Sequence, residues 1–328
     1  MAWRELSIGV PHEYVEPISY LFSRYGHSLT MQADGPDRIM LRTFLPVASK
    51  QRLARIEIGV RLVSILEPLG DLVIRDIAED EDWQEAWKSH FDLLRVGRRL
   101  VIKPRWIEHQ PEPEEIVIEI DPGMAFGTGY HPTTHTCLEA LEHILQPGMS
   151  VLDVGTGSGI LAITAVKLGA AHVVALDIDP EAVRAARQNC RRTRTTRQVA
   201  LSLGTVPHPL AGPGQFDLAV ANISARAVCD RGPFILTALG PQGVLIASGM
   251  LKSQRHEVAN ALESRGCTLI QQWSQEGWAS LAFRRGPHPS VAPARLIRPQ
   301  VPRNAGKTHP RRGPPRRPGG DHPFLRCR

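Results

Sequence analysis

The chain has 328 residues, of which 42% are hydrophobic and 5% are aromatic. The hydrophobic share is large enough for a sizeable core and excludes a globally disordered chain, while the length suggests about two domains. The small aromatic share argues against a protein that stacks many nucleic-acid bases.

The net charge is unevenly distributed along the chain. The formal charge is +6 and the isoelectric point is near 9.3, which by itself suggests an acidic partner such as nucleic acid. Residues 286–328, the basic tail, contain ten Lys and Arg and one acid, a net of +9, whereas the other 29 basic and 32 acidic residues leave residues 1–285 at −3. The positive excess therefore belongs to the tail rather than to the body.

Cysteine usage and the N-terminal residues predict a cytosolic protein. The five cysteines form no Cys-x-x-Cys pair, which favours buried thiols in a reducing compartment over disulfides or a zinc site. The first residues lack the basic-then-apolar pattern of a signal peptide, and no apolar run approaches the roughly 18 residues of a membrane span. We therefore expect neither a metal nor a membrane partner.

Residues 1–77 are predicted to form a small α+β domain. Apolar periodicity predicts strands over residues 3–10, 38–45 and 72–77, and helices over residues 14–25 and 49–66. Because this region carries little polar chemistry, we expect it to recognise a substrate rather than to catalyse a reaction.

Residues 78–120 are predicted to link this domain to the rest of the chain. Trp83, Trp87 and Phe91 recur there at helical spacing, and such a stripe is more often packing than ligand contact. Two strands are expected to follow, over residues 100–103 and 116–120.

Residues 121–285 alternate apolar strands with helices, which predicts an α/β domain with a doubly wound, mainly parallel sheet. Buried strands are expected at residues 151–154, 173–178, 199–203, 217–221 and 243–248, and helices at residues 133–145, 159–168, 180–191, 226–239 and 252–265. A closing pair of strands around Gly277 has too short a link for both to be parallel, so one must run antiparallel. The Pro- and Arg-rich basic tail is predicted to be disordered.

The strongest local signal runs from Val151 to Gly159, where a buried strand leads into alternating glycines and then a helix. Gly155 and Gly157 permit positive φ angles and let a ligand approach the backbone, and the helix N-terminus offers free N–H groups to an anion. A dinucleotide fingerprint would need a further glycine at Ile160. The spacing better fits S-adenosylmethionine, whose anion is one carboxylate, with a tight turn that binds no ligand as the alternative.

Two acids follow the second strand of this domain. Asp177 lies 22 residues after Gly155, where an acid can accept hydrogen bonds from both hydroxyls of a ribose. Asp179 directly precedes Pro180 and is better placed to cap the helix that begins there. We therefore predict ribose binding for Asp177 and capping for Asp179.

Asn222 ends the fourth strand at the carboxyl edge of the sheet, along which ligands bind. Its side-chain carbonyl could orient a reacting amine. The alternative is an ordinary turn residue, since Asn often ends strands. The spacing of the residues leaves both interpretations open.

Residues 121–134 combine three glycines, two prolines and several hydroxyls directly before the first helix of the sheet domain. A flexible loop at this place can fold over a bound ligand. Thr133 or Thr134 is expected to cap the helix. His131 is a candidate base or loop donor, and we favour the donor role.

These motifs make the chain resemble the bacterial ribosomal protein methyltransferase A family, which methylates protein eleven of the large ribosomal subunit. The matching segments are residues 83–88, 121–134, 153–159, 175–180, 221–223 and 248–250, which together span about residues 1–285 in the family's order. The run Pro-Gly-Met-Ala-Phe-Gly-Thr-Gly is the most specific piece, because generic methyltransferases lack it.

The resemblance implies a class I S-adenosylmethionine-dependent methyltransferase fold, with a seven-stranded sheet and a small N-terminal domain that recognises the ribosomal protein. It implies that Thr134, Gly155, Asp177 and Asn222 contact the methyl donor. Gly157, which lies in the glycine loop of residues 155–159, is a further predicted contact. Asn222 is also the predicted catalytic residue. The expected reaction is methylation of amino groups, on lysine side chains or an α-amine, of a large-subunit ribosomal protein.

Several features depart from the family's pattern. Thr156 stands where the family usually has Cys, and Thr193 stands where it usually has a second Asn. Residues 184–197 contain six arginines, which we interpret as a solvated face rather than an RNA contact. The basic tail has no counterpart in the family, and it could hold the enzyme near ribosomal RNA.

Two other functions stay open at this stage. The tail and the arginines are compatible with an RNA or DNA N-methyltransferase, although Asn222 is followed by Ile223 and Ser224 rather than by the Asn-Pro-Pro-aromatic motif of such enzymes. A donor-binding module without catalysis is the third possibility.

Overall fold

The computed structural model describes residues 3–35, 38–66, 68–77, 92–120 and 129–286. The predicted helix with its Trp83, Trp87 and Phe91 stripe, most of the loop over residues 121–134, and the predicted disorder of the basic tail lie outside the described residues. Within the described residues, no helix is long and apolar enough to cross a membrane.

The N-terminal residues form a four-stranded antiparallel sheet with two helices packed against it. The strand order is β2-β3-β1-β4. The elements are β1 (Trp3–Pro11), α1 (Val15–Tyr25), β2 (His27–Ala33), β3 (Arg38–Pro46), α2 (Lys50–Ser64) and β4 (Val73–Ile77). The predicted strands and helices are confirmed. The prediction omits β2, because an edge strand that pairs with β3 alone needs no continuous apolar alternation.

The core of this domain is built from one face of the sheet and both helices. β1 contributes Leu6, Ile8 and Val10, every second residue along the strand, as the alternation of side chains across a sheet requires. The same apolar cluster includes Ile56 of α2 and, from the far end of the chain, Trp278. The N-terminal core is therefore completed by a residue of the C-terminal sheet.

A small three-stranded sheet follows in the chain. It consists of β5 (Leu94–Val96), β6 (Leu100–Lys103) and β7 (Ile116–Glu119), with β5 antiparallel and β7 parallel to β6. The two predicted strands are confirmed. β5 was not predicted, because three residues are too few to show a period of two.

The remaining residues form a seven-stranded sheet of order β10-β9-β8-β11-β12-β14-β13. Its strands are β8 (Ser150–Val154), β9 (His172–Asp177), β10 (Val199–Leu203), β11 (Phe216–Asn222), β12 (Leu239–Leu251), β13 (Cys267–Gln275) and β14 (Trp278–Arg285). The helices are α3 (Pro132–Ile144), α4 (Ile160–Lys167), α5 (Pro180–Arg192), α6 (Ala225–Ala238) and α7 (Arg255–Glu263). Every neighbouring pair is parallel except the two that involve β14, which confirms the predicted α/β, doubly wound sheet with one antiparallel strand.

The strand order reverses between β8 and β11, and ligands of such sheets bind outside the carboxyl ends of the strands at this switch point. β8 alternates its side chains between two apolar clusters: Val151 belongs to one and Leu152 to the other. The register pairs Val154 of β8 with Ala221 of β11. The residues that follow, Gly155 and Asn222, are therefore neighbours at the carboxyl edge.

Candidate active site

The glycine loop after β8 has the conformation that the sequence predicts. The φ angle is +79° at Gly155, +55° at Gly157 and +84° at Gly159, all in the left-handed region. A Cβ atom on Gly155 would lie 2.4 Å from Cγ2 of Ile223, and one on Gly159 would lie 3.1 Å from Cβ of Ala186. Glycine is needed here for the backbone angles and for the close packing of the loop.

Asp177 is fixed against the glycine loop by two backbone hydrogen bonds. The N–H of Gly157 donates to its Oδ2 at 2.8 Å, and the N–H of Asp179 donates to its Oδ1 at 2.9 Å. Each carboxylate oxygen keeps a further lone pair. The group can therefore still accept hydrogen bonds from the hydroxyls of a ligand.

Asp179 caps α5, as predicted. Its backbone is extended, and its Oδ1 accepts a hydrogen bond from the N–H of Glu181 at 2.9 Å, with Pro180 at the first helical position. The capping and ribose-binding interpretations thus concern two different carboxylates, and the capping one is confirmed.

Two exposed apolar side chains flank Asp177. Ile178 is 74% exposed, and Leu203, in register with Asp177 on the neighbouring strand, is 54% exposed. The expectation that both lie in buried strands was wrong, because both are at the carboxyl edge and β10 is an edge strand. Their position at the ends of two adjacent parallel strands is the sequence signal that could have identified them as ligand-facing.

Among the described residues, the side-chain amide of Asn222 makes a hydrogen bond through Nδ2 but not through Oδ1. Its Nδ2 donates to Oγ1 of Thr134 at 3.3 Å, and Thr134 is completely buried in the first turn of α3. Its Oδ1 is buried and has no hydrogen-bond partner among the described residues. An unpaired buried acceptor costs on the order of 1–3 kcal/mol, so the site presents an amide oxygen suited to a donor from a ligand.

His131, rather than Thr133 or Thr134, caps α3. Its Nδ1 accepts a hydrogen bond from the N–H of Thr133 at 3.2 Å and lies 2.6 Å from the Oγ1 of the same residue. Burial lowers the pKa of the imidazole to about 3, so the ring is neutral and Nδ1 keeps its lone pair. The threonine cap was a wrong prediction, because Pro132 starts the helix and places both threonines inside its first turn.

A chain of three buried hydroxyls attaches the start of α3 to the sheet. Oγ1 of Thr136 lies 2.6 Å from Oγ of Ser280, and Ser280 donates to Oγ of Ser248 at 2.6 Å. Ser248 in turn donates to the carbonyl oxygen of Thr133 at 3.4 Å. Neither Ser248 nor Ser280 was predicted to have this role, since an isolated serine in an apolar strand carries no local signal.

Two of the departures from the family pattern have a structural role. Oγ1 of Thr156 donates to Oδ2 of Asp153 at 2.7 Å, and burial raises the pKa of that carboxyl to about 7. Oγ1 of Thr193 donates to the carbonyl oxygen of Asn189 at 2.9 Å. Asn189, for which the sequence predicted no role, is buried and donates from Nδ2 to the carbonyl oxygen of Ser158 at 2.8 Å. This bond fixes the glycine loop to α5.

The third departure, the six arginines of residues 184–197, lies on an exposed surface. Their side chains point into solvent on α5 and the following loop, and Arg184 forms an ion pair with Glu181 at 2.7 Å. Among the described residues, no group of His, Cys, Asp and Glu could hold a metal ion.

The carboxyl edge of the sheet therefore offers three kinds of contact to a ligand. Asp177 can accept from hydroxyls, Ile178 and Leu203 can cover an apolar ring, and the glycine loop exposes backbone near the start of α4. Beside them, Asn222 offers an acceptor that has no partner in the part of the chain that the structure describes. This arrangement suits a nucleoside that carries a charged chain, with a second, hydrogen-bond-donating group next to it.

The family model that matches this chain is described as ribosomal protein L11 methyltransferase (PrmA), and it covers residues 2–286. Among curated proteins, the chain is 39% identical to "Ribosomal protein L11 methyltransferase" of Chloroflexus aurantiacus, over 87% of this chain and 98% of the relative. A protein of the same name from Herpetosiphon aurantiacus is 38% identical, over 87% and 99%.

Among solved structures, the fold is similar to the ribosomal protein L11 methylase of Lactobacillus delbrueckii subsp. bulgaricus. The TM-score is 0.56 and the sequence identity is 34%, with 60% of this chain and 100% of that chain covered. The model match and the curated relatives cover most of the chain up to the basic tail.

Proposed function

Because the chain belongs to the ribosomal protein L11 methyltransferase family, we propose that it transfers methyl groups from S-adenosylmethionine to amino groups of ribosomal protein L11. The observation that carries the proposal is the buried Oδ1 of Asn222 beside the glycine loop, which no described residue pairs with. It is placed where a reacting amine would need an acceptor, at the switch point of the sheet.

The residues at the carboxyl edge fit S-adenosylmethionine. Asp177 would accept from the ribose hydroxyls, and the exposed side chains of Ile178 and Leu203 would cover the adenine. Gly155 and Gly157, which have no side chains, would let the methionine part approach the backbone, whose N–H groups suit its carboxylate. Thr134, which accepts a hydrogen bond from Nδ2 of Asn222, would belong to the same site.

Methyl transfer from a sulfonium to an amine is an in-line displacement: the N–C bond forms as the C–S bond breaks, S-adenosylhomocysteine leaves as a neutral thioether, and the methylated ammonium then loses a proton to water. The amine must be neutral to attack. The pKa of lysine in water is near 10.4, so about one part in 2,500 is neutral at pH 7. Desolvation in the site lowers the pKa of the amine and raises that fraction. The protein's main task is then to hold the amine in line with the methyl group.

Asn222 is the residue that we assign to this task. Thr134 fixes its amide by accepting from Nδ2, which leaves Oδ1 to accept an N–H of the amine and so to aim the lone pair at the methyl group. The reaction needs no general base with this geometry. His131 does not supply one, since its Nδ1 already accepts from Thr133.

The other parts of the chain have proposed roles that follow from the same reaction. The N-terminal domain, residues 1–77, would recognise the ribosomal protein, and the basic tail would hold the enzyme near ribosomal RNA while the acidic body acts on a basic protein. Because ribosomal proteins are made and assembled in the cytoplasm, the proposal implies a cytoplasmic enzyme.

The experiment is incubation of the full chain with labelled S-adenosylmethionine, recombinant L11 and ribosomal RNA, followed by mass mapping of L11. We expect label on lysine side chains or on the α-amine of L11. Label on RNA with none on L11 would support a nucleic-acid methyltransferase instead. Binding of the donor without any transfer would reduce the protein to a donor-binding module.

A further inference from the structure

The pairing of β12 with β14 contains a β-bulge at the carboxyl edge of the sheet. Two residues of β12, Ser248 and Gly249, lie there opposite one residue of β14, Ser280. Gly249 has a left-handed backbone, with φ of +81°. Bulges re-aim side chains and are common next to active sites. This one brings together the hydroxyls of Ser248 and Ser280, which are both completely buried and whose oxygens lie 2.6 Å apart.

Ser248 lies beside Asn222 in the sheet. The register of the parallel strands β11 and β12 pairs the two residues, so their side chains are on the same face of the sheet. Both reach the first turn of α3. Ser248 donates to the carbonyl oxygen of Thr133 at 3.4 Å, and Asn222 donates from Nδ2 to Oγ1 of Thr134 at 3.3 Å. Two consecutive residues of α3 are therefore held by two paired residues of the sheet.

Ser280 determines which way the hydroxyl of Ser248 points. Ser280 donates to Oγ of Ser248, and a hydroxyl has a single proton to donate, so the proton of Ser248 is directed to the carbonyl oxygen of Thr133. Oγ1 of Thr136 lies 2.6 Å from Oγ of Ser280, so the chain of hydroxyls starts and ends on α3. Hydrogen bonds in such a buried chain strengthen one another, and the loss of one member weakens the others.

We propose that Ser248 and Ser280 are positioning residues for methyl transfer, which hold Thr134 and, through it, the side-chain amide of Asn222 in the orientation that the reaction needs. The inference rests on the proposed function, because it takes Asn222 as the residue that orients the amine. In this role neither serine contacts the amine or the methyl donor, and both act through the backbone of Thr133. Loss of either hydroxyl should therefore impair turnover more than donor binding.

The first test measures turnover and donor binding in single and double variants of the full chain. Ser248→Ala should lower kcat for methylation of L11 by about tenfold, with less than about a threefold change in the dissociation constant of S-adenosylhomocysteine, since small misplacements of reacting groups mainly affect the chemical step. Ser280→Ala, one hydrogen bond further from Thr133, should lower kcat by about threefold. In the Asn222→Ala background, either serine change should lower kcat by less than about twofold, because the amide that it positions is absent.

The second test needs no substrate. The side-chain NH2 group of Asn222 gives a pair of NMR signals in a chain labelled at its asparagines, and their loss in Asn222→Ala assigns them. These signals should shift in Ser248→Ala and in Ser280→Ala, because the hydroxyl of Thr134 that accepts from Nδ2 changes its position. The spectra therefore report on the orientation of the amide itself, whether or not the chain acts on L11.

Thr164→Val is the matched control. Thr164 is completely buried in α4, and its hydroxyl donates to the carbonyl oxygen of Ile160 in the same helix at 2.7 Å. The change removes a buried hydroxyl of the same domain and should lower the urea midpoint of unfolding, as the serine changes do. The kcat and the NMR signals of Asn222 should stay at the parent level. If an alanine variant of either serine does not fold, the cysteine variant, which keeps the volume and a weak donor, replaces it with a smaller effect of the same sign.

Three outcomes would overturn the positioning role. They are parent-like kcat in both serine variants, a fall in kcat that is as large in the Asn222→Ala background as in the parent, and an equal fall in Thr164→Val. A parent chain that does not methylate L11, but whose Asn222 signals respond to both serine changes, would contradict the proposed function and support the positioning of Asn222. An active parent whose Asn222 signals ignore both changes would support the function and reject the positioning.

Discussion

At the residue scale, Asn222 and Asn189 show how the side-chain amides of two residues in one site form different hydrogen bonds. Asn189 donates from Nδ2 to the carbonyl oxygen of Ser158 and so fixes the glycine loop. Asn222 donates from Nδ2 to Thr134, and its Oδ1 has no partner among the described residues. Under the proposed function, the first arrangement would serve binding of the donor and the second would orient the amine, so truncation of each should affect different kinetic constants.

Asn222→Ala should lower kcat by about 10²-fold or more, the scale seen when one oriented polar contact of a transition state is removed. The dissociation constant of S-adenosylhomocysteine should change by less than about fivefold. Calorimetry and initial-rate kinetics measure the two. Asn189→Ala is the comparison and should show the reverse, with weaker donor binding and a smaller effect on kcat. Equal losses in both constants for Asn222→Ala would reject the orienting role.

The buried imidazole of His131 should make the stability of the folded chain depend on pH. Burial holds the pKa of its imidazole near 3 in the folded chain, against 6.5 as the ordinary value, so the unfolded chain binds more protons between these values. Stability from this residue is present above pH 6.5 and is lost as the pH falls below it. At pH 5.5 the loss is about 1.4 kcal/mol.

Urea unfolding of the parent and of His131→Asn, each at pH 8 and pH 5.5, checks this prediction. The parent should lose about 1.4 kcal/mol more than the variant on acidification. Asp153 acts in the opposite direction, since burial raises the pKa of its carboxyl to about 7, but it is common to both proteins and cancels in the difference. The same acid sensitivity in both proteins would contradict the neutral, buried imidazole.

At the element scale, the site is formed where strand ends and helix starts meet. The register of β8 with β11 brings the glycine loop next to Asn222, and the hydroxyl chain through Ser248 and Ser280 attaches α3 to β12 and β14. Gly249 of β12 also packs closely against the backbone next to Asn222. A Cβ atom there would lie 2.1 Å from the carbonyl oxygen of Ile223, the residue after Asn222.

Alanine at Gly249 should therefore damage the site, and alanine at Gly148 should not. Both glycines have left-handed backbones, with φ of +81° and +91°, but a Cβ on Gly148 meets nothing within 4 Å. Each substitution should cost about 1–2 kcal/mol for the backbone angle. Gly249→Ala must also displace the backbone beside Asn222, and we expect at least a tenfold loss of kcat, since small misplacements of reacting groups have effects of this size or larger.

Urea unfolding of the two variants measures the loss of stability, and methyl-transfer kinetics measure the loss of kcat. Parent-like turnover in Gly148→Ala together with a strong loss in Gly249→Ala is the expected pair of results. If Gly249→Ala kept full turnover, the close approach of β12 to Ile223 would have no bearing on the reaction.

At the scale of the whole molecule, the positive charge lies in the basic tail and apolar contacts join the domains of residues 1–285. The body is mildly acidic and the basic tail carries the positive excess. Within the body, Trp278 joins the N-terminal core to the seven-stranded sheet, and Tyr130 and Trp106 pack against a second apolar group of Trp3, Phe44 and Ile77. The proposed recognition domain is thus in direct contact with the domain that carries the site.

Deletion of residues 287–328 should separate the proposed tether from catalysis. Methyl transfer to free L11 in solution should stay within about twofold of the parent, because none of the proposed site residues lies in the tail. Binding to ribosomal RNA should be lost in the deletion variant, and in the parent it should weaken steeply between 50 and 200 mM salt as counterions are released. Filter binding at several salt concentrations measures both. RNA binding that survives the deletion, or that ignores salt, would contradict the tether.

The sequence by itself determined the order of most of the elements, except β2 and β5, and the chemistry at the strand ends. Apolar strands alternating with helices indicated a doubly wound sheet, and glycines in alternation could adopt the left-handed angles found at Gly155 and Gly157. Asp179 was also identified as a cap from local sequence, because a cap needs only the residues next to it. Local information suffices wherever the physical cause lies within a few residues.

The tertiary structure decided which side chains face one another across distant parts of the chain. The bond between Asn222 and Thr134, the hydroxyl chain to Ser280 and the contact of His131 with Trp278 each join residues far apart in sequence. It also decided that Ile178 is exposed, because burial depends on what packs beyond the end of a strand. Such pairings arise only when the strands assemble into the sheet and the helices pack against it, and no local pattern encodes them.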